Sequence, residues 1–245
     1  MNIIVGFLKK PSAYLKVANQ VFTRWIRTYA YRGSNVICEN CSWQGTQFFE
    51  GECPNCKSLP RTRLIPFSID YFDLAKTKLK VLHVAPNKTE YFGVKTKLHD
   101  VMQYDKMDIR AVKHVNLVED LTQLTLEDNT YDLVVIWHVF EHIVEDTKAI
   151  SEVYRVLNTG GQLLMSVPIF PVHSLATYED VAIPYANYQE IHGHEDHCRS
   201  CGLDYYKRFE AHGFRTAELQ VRDLDDSLVK KYALSTGHVA WCFTK

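Results

Sequence analysis

The sequence predicts an α/β fold with an open, mostly parallel sheet, preceded by a small cysteine module and an amphipathic helix. Three observations carry this expectation. Between residues 78 and 168, short apolar runs alternate with helical patterns, as expected of strands buried on both faces by crossing helices. Four of the 7 cysteines fall in two C-x-x-C pairs ahead of that region. A chain of 245 residues, 46% hydrophobic and 12% aromatic, suffices for one α/β domain plus a small satellite.

The net charge of −1 argues against a surface built as a whole for nucleic acid, while leaving room for a local basic patch. No run approaches the roughly 18–20 apolar residues that a membrane-crossing helix needs. The opening "MNIIVG" is too short, and too soon followed by Lys9-Lys10-Pro11, for a secretory signal. An odd number of cysteines, four of them in C-x-x-C pairs, fits metal binding in a reducing cytoplasm better than a disulfide framework.

Residues 1–33 carry Lys9, Lys10, Lys16, Arg24, Arg27 and Arg32 and no acid. Tyr14, Val17, Val21, Phe22, Trp25, Ile26 and Tyr29 recur at helical spacing, predicting a basic amphipathic helix. The plainer expectation is that this face packs on the main domain. The sharper one is a peripheral contact with an anionic membrane surface.

Residues 34–66 form the cysteine module, "CENCSWQGTQFFEGECPNC", a C-x2-C-x11-C-x2-C pattern through Cys38, Cys41, Cys53 and Cys56. Each C-x-x-C turn can aim two thiolates at one ion, and two turns complete a tetrahedral site suited to zinc. With no position left for water, this zinc is expected to be structural. Glu39, Glu50 and Glu52 against Lys57 make the zinc ribbon a poor grip for nucleic acid.

Residues 67–245 form the principal domain. Its strand-like runs are "KVLHVA", "VMQYDKM", "VNLVED", "YDLVVIWHV" and "GQLLMSVP". Ahead of the last of these, "EDTKAISEVYRVL" places Ala149, Ile150, Val153, Val156 and Leu157 on one helical face, with a stop expected at Gly160-Gly161. From about 169 to 200 the periodicity fails, which predicts a lid or substrate loop. At the end of that stretch "HEDHCRSC" gathers His194, His197, Cys198 and Cys201; their crowding in sequence favours a polar loop lining a cleft over a second metal site. "DYYKRFEAHGF" then reads as a helix ended by Gly213, and "RTAELQVRD" and "HVAWCFTK" as closing strands.

Residues 128–168 resemble the small-molecule type of class I S-adenosylmethionine-dependent methyltransferase. The matching pieces are His138-Val139-Phe140-Glu141-His142, Arg155-Val156-Leu157-Asn158-Thr159-Gly160-Gly161 and "QLLMSVP". The wider arrangement is similar to a bacterial subgroup with a cysteine knuckle, an R-x-R pair (here Arg61-Thr62-Arg63) and a "vLh.AP" strand end in place of a glycine-rich loop. "HGHEDHCRSCGLDYYKRFEAHGF" is similar to that subgroup's "EDHvR.yG.dY" segment, with Cys198 and Cys201 as departures. The resemblance covers roughly residues 36–220 and implies a Rossmann-like, seven-stranded, mostly parallel sheet that binds S-adenosylmethionine.

In such sheets the cofactor sits outside the carboxyl ends of the strands, at the switch point. Backbone at His83, Val84, Ala85, Pro86 and Asn87 is expected to face its methionine part. Asp108, with Asp105 as rival, would accept from the ribose hydroxyls; Asp120 and Leu121 would take the adenine; Trp137, His138 and Val139 would close beside the sulfonium. Pro86 is expected to turn Ala85 away from helix and end the strand sharply. The resemblance sets the late segment over the acceptor: His197 as base candidate, then His173, with Arg199, Glu179 and Asp180 positioning a small or glycan-like polar acceptor. A catalytically degenerate binding protein and an RNA-modifying enzyme are the alternatives.

Overall fold

The computed structural model describes residues 11–245. Its centre is a sheet of seven strands: β3 (Leu79–Val84), β4 (Val101–Asp108), β5 (Leu117–Val118), β6 (Tyr131–Trp137), β7 (Leu157–Ser166), β8 (Arg215–Gln220) and β9 (Val239–Thr244). They lie in the order β5-β4-β3-β6-β7-β9-β8. All neighbours run parallel except β9, which is antiparallel to both β7 and β8. The chain leaves β3 to one side for β4 and returns on the other for β6, so a crevice opens where β3 and β6 end.

Period-two alternation explains why these strands are apolar throughout. On β6, Leu133, Val135 and Trp137 enter one core, while Val134 and Ile136 enter the other, which Tyr131 joins ahead of a register shift. The first core is covered by α2 (Pro60–Tyr71) through Leu64, Ile65 and Ile69, and by α3 (Lys88–Lys97) through Val94. The second is covered by α4 (Asp146–Val156) through Ala149, Ile150, Val153 and Val156.

Helix α4 stops at Val156, short of the expected glycine stop, and β7 begins at once with Leu157. Its last carbonyls have partners from elsewhere: the N–H groups of Asn129 and Thr130 donate to Arg155 and Val156, and Lys245 Nζ donates to Leu157 at 2.7 Å. With the end capped by tertiary contacts, no glycine is needed there. Gly160, at φ +78°, instead kinks β7 where its register against β6 shifts.

In front of the sheet stand α1 (Pro11–Ala30) and a hairpin of β1 (Arg32–Ile37) and β2 (Gln44–Gly45). The end of α1 docks on the cysteine module: Arg27 lies 3.7 Å over the Phe49 ring, and Trp43 Nε1 donates to the Thr28 carbonyl. The described part of its aromatic face does not pack on the main domain. Val21, Phe22, Trp25, Ile26 and Tyr29 are exposed, and among the described residues Trp25 stacks on its helix neighbours Phe22 and Tyr29. Tyr14 and Val17 have side chains outside the described set, and no described helix is long and apolar enough to cross a membrane. The boundary expected between residues 66 and 67 falls inside α2.

The remaining elements are short: α5 (Tyr188–His192) in the irregular stretch, α6 (Lys207–Glu210), and α7 (Asp226–Tyr232) between β8 and β9. The helix expected over "DYYKRFEAHGF" is reduced to α6, ending in turns before Gly213 at φ +94°.

Candidate active site

The cysteine module is built as two like turns. Ser42 N donates to the Cys38 carbonyl and Lys57 N to the Cys53 carbonyl. Ser42 (φ 58°) and Lys57 (φ 62°), each just after the second cysteine of its pair, take the left-handed conformation that closes the turn. The turns bring all four sulfurs together, with Cys38 and Cys56 Sγ 3.6 Å apart and Cys41 and Cys53 Sγ 3.8 Å apart. Four sulfurs each about 2.3 Å from a tetrahedral ion would stand about 3.8 Å from one another. The donor set therefore fits one zinc with no position left open.

Two neighbouring arginines divide the work of joining this module to the site. Arg63, fully buried, donates to the carbonyls of Ser58 and Gly51 on the module side and of Tyr232 and Ala233 on the other. Arg61, two positions earlier on α2, points into the crevice. Module and sheet also meet at α3: Asn40 Nδ2 donates to the Thr89 carbonyl at 3.1 Å. Gly93, the first glycine after β3, serves that contact and not the cofactor, since a Cβ there would meet Asn40 Oδ1 at 2.0 Å.

At the end of β3 the backbone turns without a glycine. Ala85 has φ +48°, the left-handed conformation usually left to glycine, and Asn87 then caps α3. The Asn87 side chain accepts from Thr89 N and Glu90 N while Glu90 accepts from Asn87 N, a complete capping box. The end of β6 repeats the device with His138 at φ +54°. Left-handed geometry costs an L-residue about 1–2 kcal/mol, and such strain gathers at functional sites. Ala85→Gly should accordingly raise stability by about 0.5 kcal/mol once the added freedom of the unfolded chain is deducted. A rise in the urea midpoint would show it; a fall would mean the Ala85 methyl packs better than its backbone is strained.

Ala85 and His138, with His142, stand where two cavities meet. One, of about 530 Å³, is lined by Val84, Met107, Asp108, Ile109, Asp120, Leu121, Val139 and Ile143 among others. Asp108 is buried, and its Oδ1 accepts from Arg110 N at 2.8 Å while Oδ2 has no partner among the described residues. Asp120 Oδ1 accepts from Thr122, which holds its carboxyl below the usual range, and Leu121 beside it is buried. This cavity thus presents a carboxylate at the end of β4, a second after β5 and an apolar wall.

The other cavity, about 460 Å³, is polar: Arg61, Asn87, Glu90, Trp137, Glu141, Pro168, His194, His197 and His238 line it. Burial and the neighbouring His142 and His194 push His197 down to about 4, and burial likewise pushes His238 to about 4 and His138 well below its usual value. These rings are neutral near pH 7 and able to accept a proton or a metal.

Several expected residues lie elsewhere. Asp105 faces away from the crevice, accepting from Tyr131 Oη, Asn116 and Gln103, so Asp108 is the carboxylate at the cleft. His83 has no exposed side chain; its Nδ1 meets Tyr104 Oη at 2.8 Å, and burial pushes it down to about 3. Pro86 lines neither cavity, its carbonyl meeting His114 Nε2 at 2.7 Å. His173, at φ 68°, also lines neither. Arg199, Glu179 and Asp180 border a separate hollow of about 380 Å³. Arg199 is buried there: it donates to the carbonyls of Phe140, Ile143 and Val144 and pairs with Glu179 at 2.8 Å.

The His194–Cys201 segment does not close on a metal of its own. Cys201 is buried in the core and Cys198 Sγ donates to the Glu141 carbonyl. Sequence reasoning did not single out Arg61, Glu90 and His238 as site residues, nor Glu141 and His142 individually. The last two stood in the quoted "HVFEH", whereas nothing local marked His238, which arrives from the turn before β9.

Residues 81–165 match a family described as a methyltransferase domain. A probable S-adenosylmethionine-dependent methyltransferase of Mycolicibacterium smegmatis is 40% identical over 73 residues, 30% of this chain and 26% of that one. The ubiquinone/menaquinone biosynthesis C-methyltransferase UbiE of Haemophilus ducreyi is 36% identical over 80 residues, 30% and 31% of the two chains. The chain thus spans about a quarter to a third of the length of these relatives. In structure, an S-adenosylmethionine-dependent methyltransferase of Mesorhizobium loti aligns with TM-score 0.53 at 11% identity, over 73% of this chain and 96% of that one. One from Archaeoglobus fulgidus aligns with TM-score 0.51 at 15% identity, over 75% and 94%. These two share the fold.

Proposed function

We propose, starting from a chain that belongs to the class I S-adenosylmethionine-dependent methyltransferases, that it methylates a small polar acceptor at oxygen or nitrogen. The observation that carries this is the meeting of the two cavities at Ala85, His138 and His142. One has the acids and apolar wall suited to a nucleoside, the other the polar groups suited to an acceptor.

S-adenosylmethionine, when bound, supplies an electrophilic methyl group on a sulfonium. The chain's own part is alignment and exclusion of water. Asp108 accepts from the ribose hydroxyls as a two-oxygen acceptor. Asp120 accepts from the adenine amine and Leu121 packs on its ring. The left-handed turn at Ala85 sets strand-end backbone against the methionine part. On the acceptor side Arg61 holds an anionic or hydrogen-bond-accepting group, and the neutral rings of His138, His197 and His238 offer nitrogen atoms to the departing proton.

Asp108→Asn tests this reading. A charge-assisted hydrogen bond contributes about 1.5–3 kcal/mol, so affinity for S-adenosylmethionine should fall about 10- to 150-fold, read by calorimetry alongside S-adenosylhomocysteine. Absence of binding of either compound to folded, zinc-loaded wild type would sink the enzyme reading.

A further inference from the structure

We propose that Glu141, His142 and His197 bind a divalent transition-metal ion, distinct from the cysteine-bound zinc, at the floor of the polar cavity. One ligand atom from each of the three lies within 4.8 Å of the others. His142 Nε2 is 3.8 Å and His197 Nε2 4.0 Å from the same oxygen, Glu141 Oε1, and His138 Nδ1 is 3.6 Å from it. These separations are too long for hydrogen bonds. They are close to the spacing of two ligands on one ion, since atoms each about 2.1 Å from a tetrahedral metal stand about 3.4 Å apart.

The hydrogen bonding around the cluster points the same way. His142 Nδ1 faces the Asp196 carbonyl at 3.0 Å, so that nitrogen carries the proton and Nε2 turns a lone pair toward the carboxylate. A carbonyl behind the ring is the usual support of a metal-binding imidazole. Lone pair against carboxylate oxygen is repulsive until a cation stands between them.

Glu141 supplies the independent observation. Its side chain is 1% exposed, and its Oε2 is buried with no hydrogen-bond partner. Arg199 spends its donors on nearby carbonyls and on Glu179. A buried carboxylate without a partner is costly, and a bound ion removes that cost. Two imidazoles and one carboxylate suit zinc, iron(II), cobalt(II) or manganese(II) and leave positions open; here they open toward Arg61, His194 and His238. Activation of an acceptor oxygen by the ion would rest on the methyl-transfer reading, whereas its binding does not. With His197 Nε2 held by the ion, such activation would leave the departing proton to His138 or His238.

The test is a titration of cobalt(II) into protein already holding one zinc in its cysteine site. One equivalent should bind with visible d–d absorption and without the thiolate-to-metal charge-transfer band that the cysteines would give. His142→Ala and His197→Ala should each weaken cobalt binding at least 10-fold, and Glu141→Gln likewise, with the cysteine-bound zinc retained as the sign of an intact fold. No second ion on the wild type, or unchanged affinity in the three variants, overturns the site. S-adenosylmethionine binding without cobalt binding removes only the ion. Cobalt binding without S-adenosylmethionine binding removes only the methyl-transfer reading.

Discussion

Replacing Cys53 and Cys56 by serine is expected to release one tightly held zinc per chain and to unfold the module from residue 32 to 58, while the sheet stays folded. Small zinc modules draw about 10–16 kcal/mol from the metal at neutral pH. Apart from the four cysteines and Trp43 with the residues around them, this one has little apolar core. The seven-stranded sheet, in contrast, is buried by two cores of its own. Metal analysis after dialysis reads the zinc, and far-ultraviolet circular dichroism reads the sheet; unchanged zinc content would refute the site.

The loss should also reach the cofactor cavity. Asn40 bonds the backbone at Thr89 and packs against Gly93, both on α3, whose capping residue Asn87 follows directly on Ala85 and Pro86. Lys97 near the end of α3 pairs with Glu39 in the module. With the module unfolded, α3 keeps its capping box but loses its outer support, so S-adenosylmethionine affinity should fall although no zinc ligand lines that cavity. Unaltered affinity in the zinc-free variant would show that the module and the cleft are independent.

Much of this architecture was legible in the sequence because it rests on local pattern. Period-two burial on β3, β6 and β7, and the spacing of four cysteines, each follow from neighbours in the chain. What was not legible rests on partners distant in sequence. The end of α4 is set by Lys245 and by the Asn129–Thr130 backbone, not by Gly160. That Asp108 and not Asp105 lines the cavity follows from Asn116 and Tyr131, which occupy Asp105. The strand end that stands in place of a glycine-rich loop turns by other means: Ala85 takes the left-handed conformation itself. The aromatic face of α1 was expected to pack on the main domain but its described residues are exposed, since periodicity reports amphipathicity and not the partner.

Arg199 was expected to touch the acceptor, and its surroundings make a different outcome measurable. Its guanidinium is 2% exposed and holds three carbonyls, those of Phe140, Ile143 and Val144, from the segment that carries Glu141 and His142. Burial works against its charge, but Tyr205, Asp146 and Glu179 outweigh this and hold the proton more tightly than usual. Arg208 pairs with Asp146 and Glu179 too, and Tyr205 Oη donates to Asp146 at 2.8 Å, so one network ties the irregular stretch to the end of β6. Arg199→Ala removes the guanidinium donor from the Ile143 and Val144 carbonyls, leaves the Phe140 carbonyl with Ile143 N alone, and leaves Asp146 with less compensation. Removing one partner of a buried ion pair costs about 3–5 kcal/mol, which urea denaturation should register as a clear fall in midpoint. Arg199→Lys can restore the charge but not a planar fork reaching three carbonyls and two acids, so it should recover only part of the loss. A side chain whose task was to hold the acceptor would behave oppositely, leaving stability unmoved and raising KM for the acceptor alone. Stability within about 0.5 kcal/mol of wild type, the usual range for surface substitutions, would return Arg199 to that role.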